Sequence, residues 1–215
     1  MDRDELVQWM YNRYLHDYLA CILSVDESVG ELLDYLDEHK LTENTMVVYT
    51  SDQGFFLGEH GLFDKRFMYE EALRTPMLIR YPNQIEKGIS INEMVLNLDL
   101  APTLLSVAGI EVPTSMQGKS MVDLWMDKKD IDWRDAIYYH YYEKGFGATP
   151  HYGIRTDQYK LIHFYDPIDS WELYDLEQDL SEGKNLIDDS GSQELILKLK
   201  NKLNELKIRF GDNPS

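Results

Sequence analysis

Residues 50–82, TSDQGFFLGEHGLFDKRFMYEEALRTPMLIRYP, gather the side chains of this chain best suited to chemistry. Asp52 and Gln53 set a carboxylate beside an amide oxygen, a donor pair that suits a hard cation such as calcium. Glutamine is a poor zinc ligand, which argues against that metal. Two donors are too few for a calcium cage, so further ligands must come from elsewhere. An Asp-Gln pair in a loop also serves as a turn or helix cap. Glu59 and His60 lie between Gly58 and Gly61, and a loop histidine is either a structural hydrogen-bonder or a functional group. Lys65 and Arg66 form a cationic pair. Arginine grips an oxyanion with two parallel donors and lysine adds a point charge, so the pair could clamp an anionic group. The alternative is a solvated pair answering Glu59, Glu70 and Glu71.

The flanking elements must hold that loop. Tyr11, Tyr14, Leu15, Tyr18, Ile22, Val25, Val29, Leu32 and Leu36 recur at spacings of three and four. They predict one long helix over 5–38, or two with a break near Ser24–Asp26. Cys21 lies on this helix and reads as a buried small apolar residue. Met46–Thr50 and Met77–Tyr81 are short apolar runs of the buried-strand kind, and Met94–Leu98 predicts a third strand. Asp99 suits the N-cap of a helix over Leu100–Ala108, closed by Gly109. Helix followed by buried strand points to a parallel α/β sheet, with the loop at a strand's carboxyl end, where such folds build sites.

The composition shifts near residue 130. Ala136–Tyr142, His151–Arg155, Tyr159–Tyr165 and Trp171–Leu176 predict an antiparallel sheet of aromatic-rich strands. The 145–150 stretch predicts a mobile loop. Ser192 opens a last amphipathic helix with Ile196, Leu199, Leu203 and Leu206 on one face. Two domains follow, residues 1–130 and 131–215.

A formal net charge of −18 over 215 residues excludes a broad basic surface for nucleic acid. It also opposes an anionic substrate unless a pocket's local field outweighs it. The single cysteine rules out an internal disulfide. The chain opens Met1-Asp2-Arg3-Asp4-Glu5, with no apolar signal region and no membrane-spanning run.

In this arrangement the sequence resembles the sulfatases of the alkaline-phosphatase superfamily. The matching stretches are TSDQG (50–54), LGEHG (57–61), DKR (64–66), MYEE (68–71) and RTPMLIRYP (74–82). With them come SVDESVGELLDYLDE (24–38), NTMVVYTSD (44–52), LDLAPTLLSVAGI (98–110), QGKSM (117–121) and GIRTDQYKLIHFY…WELYDLEQD (153–179). The resemblance is strongest to glycan sulfatases acting on N-acetylglucosamine 6-sulfate or related glycosaminoglycan units. It implies part of a doubly wound α/β sheet followed by a small C-terminal antiparallel sheet with a packed helix. It implies hydrolysis of a sulfate ester, with Asp52 and Gln53 as ligands of one calcium ion and Lys65 on the sulfate. Arg66 and His60 would support them. His151 would contact substrate, with His140, Arg155, Tyr142 and Trp171 as further rim candidates.

One departure stands out. The family's nucleophile is a formylglycine made from a cysteine in a Cys-x-Pro-Ser-Arg motif, and this sequence has none. The match corresponds to the family's C-terminal half, with the remaining calcium ligands outside this chain. The expectation is a chain that is silent alone. It would self-associate through the exposed sheet edge, or be partly unordered near residues 50–70. The resemblance implies a periplasmic, secreted or lysosomal location and a sulfated glycan partner, with neither nucleic acid nor membrane. A phosphodiesterase or phosphomutase of the same superfamily is the alternative chemistry, opposed by Gln53 and the DKR stretch.

Overall fold

The computed structural model describes residues 2–212 apart from 127, 129 and 146. Two compact units emerge, one of residues 1–49 with 77–87 and the other of 50–76 with 88–215. The chain is α/β.

In the first unit, α1 runs unbroken over Arg3–Glu38. Asp2 opens it with a reciprocal capping box: its carboxylate accepts from the Glu5 N–H at 2.9 Å, and Glu5 accepts from the Asp2 N–H at 3.0 Å. No break occurs at Ser24–Asp26. The Ser28 hydroxyl returns to the Ser24 carbonyl at 2.9 Å, so the serine is satisfied inside the helix. The predicted burial of Cys21 is overturned, because its side chain is exposed. Among the described residues Leu36 is the only buried one on α1, and Trp9, Leu19, Ile22, Leu23, Val25 and Leu32 are exposed with it. Periodicity thus gave the helix correctly but not what covers its apolar face. After α1 come β1 (Val47–Thr50) and, further along the chain, its sheet partner Met77–Arg80.

The second unit begins at the loop. A two-residue pair, β2 (Phe56–Leu57) with β3 (Phe63–Asp64), frames Gly58–Leu62. The short helix α2 (Glu70–Leu73) leads into β4, the partner Met77–Arg80 already described. The strand expected at Met94–Leu98 is absent. The Met94 carbonyl is taken by Trp133 Nε1 at 2.8 Å and by Arg134 at 2.9 Å, side-chain donors in place of a strand neighbour. Asp99 sits at the N-cap of α3 (Leu100–Val107), fully buried. Its carboxylate accepts from the N–H groups of Leu96 and Lys119 and grips the Arg134 guanidinium with both oxygens. Helix α4 (Val122–Trp125) follows.

The predicted antiparallel sheet forms in sequence order: β5 (Ala136–Tyr141), β6 (His151–Thr156), β7 (Tyr159–Phe164) and β8 (Ser170–Asp175). Alternation along a strand sends successive side chains to opposite faces. One face carries Ala136, Ile154, Leu161 and Leu173 against Ile196, Leu199 and Leu203 of α5 (Gln193–Arg209). The other packs Ile162, Phe164 and Tyr174 against Phe67, Met68, Tyr69 and Leu73. The sheet is therefore filled from both sides, and its second cover is the segment that follows Lys65.

That cover has a registered fit on β6. Phe67 stacks on His151 with ring centres 5.7 Å apart, Met68 meets Gly153, and Glu70 pairs with Arg155 at 3.2 Å. A methyl group at Gly153 would stand 2.4 Å from the Leu161 carbonyl oxygen and 2.7 Å from Met68 Sδ. Beneath Glu70, the ammonium of fully buried Lys160 lies 2.8 Å from Glu70 Oε1 and 2.6 Å from Glu182 Oε1. Glu182 Oε2 also accepts from the Glu70 N–H at 2.7 Å. Burial pushes the Glu70 carboxyl up, but Lys160 and Arg155 outweigh it and hold it below the ordinary range. For Glu182 burial wins and the carboxyl is raised.

Two substitutions test this packing. Gly153→Ala is expected to lower unfolding stability by about 1–3 kcal/mol, because backbone and sulfur must both give way. Lys160→Met removes the shared cation and leaves buried carboxylate charge, for an expected loss of about 3 kcal/mol or more. Urea unfolding followed by far-ultraviolet circular dichroism measures both. A Lys160→Met protein as stable as the parent would show that the cluster is not what fixes this face.

Candidate functional site

The site is built on the loop between β1 and α2. Asp52 is exposed and Gln53 half-buried. Their backbone is pinned from two directions: Asn97 Nδ2 donates to the Asp52 carbonyl at 2.7 Å, and the Gly54 N–H donates to the Ala72 carbonyl at 2.8 Å. Only glycine fits position 54, since a Cβ there would lie 1.9 Å from the Glu71 carbonyl oxygen. Among the described residues the Asp52 carboxylate enters no ion pair, and its one side-chain contact is Ser51 Oγ at 3.5 Å. A hard-oxygen donor on a fixed loop, not spent on a cation of its own chain, fits a calcium ligand.

His60 lies at the turn of the β2–β3 hairpin with φ of 55°. Its ring stacks on Tyr69 at 4.3 Å, and Nε2 is 3.5 Å from Glu71 Oε2. Tyr69 in turn donates its hydroxyl to Glu172 at 2.9 Å. Burial, then the Glu172 charge, raises the Tyr69 phenol far above its ordinary value, so it stays a donor. His60, Glu71 and Glu182 each bring one ligand atom within 4.8 Å of the others. This is a possible metal group, yet Glu182 is already joined to Lys160.

Arg66 is ion-paired with Asp64, while its backbone carbonyl lies 3.4 Å from the Tyr139 hydroxyl. Lys65 is exposed, and among the described residues it makes no ion pair or hydrogen bond. The structure therefore separates two adjacent cations that sequence treats alike: Arg66 is held within the fold, and Lys65 is available.

His151 is fully buried two strands into the sheet. Its Nδ1 lies 2.7 Å from the Thr149 carbonyl, which requires the proton on Nδ1. Nε2 is then a lone-pair acceptor, and among the described residues it has no hydrogen-bond partner. Phe67, Tyr139, Tyr141 and Phe164 surround the ring. Burial lowers its pKa, against a smaller opposite push from the Thr149 bond. The other rim candidates are engaged. His140 bonds Asp212 and, at 2.6 Å, the Tyr165 hydroxyl; Arg155 is committed to Glu70. The Trp171 ring stacks on His163 at 4.2 Å and receives the Lys200 ammonium at 3.9 Å from its centre. Tyr142 is exposed, with its ring tilted against His140 at 3.7 Å.

Sequence reasoning missed Lys160, Glu182 and Tyr141. A lysine inside the apolar run Tyr159–Phe164 was the available signal for the first. Nothing local marked Glu182, which acts across 112 residues from Glu70.

The low His151 pKa has a stability consequence. The unfolded chain takes up a proton on this imidazole near pH 6.5, whereas the folded chain resists until a lower pH. Between those values the unfolded state binds more protons, so stability falls as pH drops below about 6.5. Thermal unfolding from pH 7.5 to 5 is expected to show a steeper fall for the parent than for His151→Gln. Parallel curves would place the titration elsewhere.

Two family models match this chain: one described as sulfatase, over residues 2–110, and one described as N-sulphoglucosamine sulphohydrolase, C-terminal, over residues 58–209. An N-acetylglucosamine-6-O-sulfatase of Bacteroides thetaiotaomicron is 48% identical over 212 residues, covering 97% of this chain and 38% of its own length. A solved structure described as a complex with its substrate D-glucosamine-2-N,6-O-disulfate superposes with a TM-score of 0.92 at 48% identity, over 97% of this chain and 43% of that one. An extracellular sulfatase homologue of Drosophila melanogaster is 41% identical over 123 residues, 55% of this chain and 11% of its own length. The chain thus spans about two fifths of the length of the first two relatives.

Proposed function

The chain belongs to the sulfatase family, and from that premise we propose that it forms the C-terminal part of a calcium-dependent hydrolase of sulfated aminosugar glycans. The observation that carries this reading is Lys65: exposed and, among the described residues, without an ion pair in a strongly acidic chain, two residues before Phe67 seats on His151. An ammonium there stabilises the negative charge that grows on oxygen as the S–O ester bond breaks. Arg66, through its backbone tie to Tyr139, sets the position of Lys65. His60, packed on Tyr69, keeps the hairpin folded beside it. Asp52 and Gln53 would hold the calcium ion with ligands from outside this chain. Bound there, the ion would draw charge from the sulfate oxygens.

His151 is the sugar-side contact of this reading. Its neutral Nε2 accepts from a hydroxyl and has no charge with which to attract a second sulfate. The substrate of the 48%-identical solved structure, a glucosamine sulfated at nitrogen and at oxygen 6, supplies the chemical class. An extracellular relative supports a periplasmic, secreted or lysosomal location. No helix among the described residues is long and apolar enough to cross a membrane.

The test is reconstitution. This chain is mixed with the N-terminal part of the Bacteroides thetaiotaomicron relative that it does not cover, with calcium, and sulfate release from glucosamine 6-sulfate is followed. Turnover is expected only with both parts present, and is lost on chelation. Lys65→Ala is expected to lower kcat by about 10²–10³-fold, the range for removing one preorganised transition-state donor. Asp52→Asn is expected to raise the calcium concentration needed for half activity. A co-eluting assembly that never releases sulfate, or one indifferent to Lys65→Ala, would defeat the proposal.

A further inference from the structure

Glu71 touches both loops on which the proposed reaction depends. Its backbone meets the calcium-side loop. A Cβ at Gly54 would lie 1.9 Å from the Glu71 carbonyl oxygen, and the Gly54 N–H donates to the next carbonyl, Ala72, at 2.8 Å. Its side chain meets the β2–β3 hairpin, with Oε2 3.5 Å from His60 Nε2 and only 22% and 19% of the two side chains exposed. Among the described residues Glu71 Oε2 is sealed from water, has no hydrogen-bond partner, and has His60 as its one ion-pair partner. A carboxylate removed from water needs a partner of opposite charge. The Lys160 ammonium is already shared by Glu70 and Glu182, and Lys65 is exposed. Glu71 therefore answers His60, and not the Lys65–Arg66 pair.

The hairpin has its own need of such a hold. His60 has φ of 55°, and Asp64, the residue before Lys65, has φ of 152°. Both are uncommon for a residue with a side chain, and such conformations persist where the surroundings over-determine them. Three contacts fix the His60 ring: Tyr69 stacked at 4.3 Å, Phe56 edge-on at 6.1 Å, and Glu71 at Nε2. Of the three, Glu71 is the one that also packs on Gly54.

We infer that Glu71 is a positioning residue for sulfate ester hydrolysis. Its carboxylate holds the His60 turn, and through β3 it sets where Lys65 begins relative to the loop of Asp52 and Gln53. This rests on the proposed function and adds a residue that acts through Lys65 instead of on the substrate. The physical ground is preorganisation. An ammonium stabilises growing charge without reorganisation only if it already stands in place. A displacement of about 1 Å can cost on the order of 10²-fold in rate. Lys65 follows β3 directly, so a hairpin freed at His60 frees the lysine with it.

The experiment joins kinetics of the reconstituted assembly to hydrogen exchange of the chain by itself. Glu71→Ala is expected to lower kcat on glucosamine 6-sulfate by about ten- to hundred-fold. The calcium concentration for half activity is expected to stay unchanged, because the contact with Gly54 is made by backbone. In the Lys65→Ala background the same substitution is expected to cost less than about two-fold, since the group it positions is gone. Glu71→Gln, whose amide donates to a neutral imidazole, is expected to recover most of the loss. In the chain by itself, the Gly58, Gly61 and Leu62 amides, which bond within the hairpin, are expected to exchange about ten-fold faster in Glu71→Ala, with β7 and β8 unchanged. Losses that add fully to those of Lys65→Ala would overturn the inference, as would a fall in kcat matched by a higher calcium requirement, the mark of general loosening. An active assembly whose kcat ignores Glu71→Ala overturns this role alone. An unmutated assembly that never releases sulfate overturns the proposed function, and this role with it.

Discussion

The contact on which the second unit turns is the ammonium of Lys160 shared between Glu70 and Glu182. It joins a strand of the small sheet, the start of α2 and the loop after β8 at one buried point. Lone buried charges are costly, and a pair recovers that cost only with good geometry and further hydrogen bonds. Here Arg155 and the Glu70 N–H supply them, so two cations meet two anions with no net charge inside. The arrangement also fixes a direction. With Glu70 set over β6 and β7, the residues before it must run back along the sheet, Met68 over Gly153 and Phe67 over His151. Lys65 precedes that seated run by two residues and is exposed.

The same constraint explains why the small sheet cannot be regarded as an appendage. A sheet with one face solvated alternates polar with apolar residues, but β7 is buried at Lys160, Leu161, Ile162 and Phe164. Both faces are covered, one by α5 and the other by the segment Phe67–Leu73. Glycine at 153 is the place where that second cover comes closest. The segment after Lys65 and the sheet are therefore packed together, and a shift in either moves the other.

Much of this was legible in the residues. The 3.6-residue period of α1, the alternation of the four late strands and the apolar stripe of α5 each depend on local sequence, and each element forms where the pattern puts it, although the Ser192 side chain makes no capping bond. What failed depended on distant partners. Cys21 has the neighbours of a buried residue, but its burial depends on what lies across α1. Met94–Leu98 has strand composition, but Trp133 and Arg134 claim its carbonyl. Around His151, the choice between Tyr141 and Tyr142 as its same-face neighbour was not legible. Adjacent tyrosines look alike in sequence, and only the pairing Tyr141↔His151 decides which shares the histidine's face.

The net charge of −18 opposes an anionic ligand until the cations are followed one at a time. Arg66 goes to Asp64, Arg134 to Asp99, Arg155 and Lys160 to Glu70 and Glu182. Each makes a carboxylate serve the fold instead of the surface field. Between Gly58 and Leu73, among the described residues, this leaves Lys65 as the cation with no carboxylate of its own. Such a charge acts at contact range, where a few ångströms of separation outweigh many screened charges beyond a Debye length of about 8–10 Å. An acidic chain can therefore hold one sulfate ester locally while its surface field repels polyanions in general.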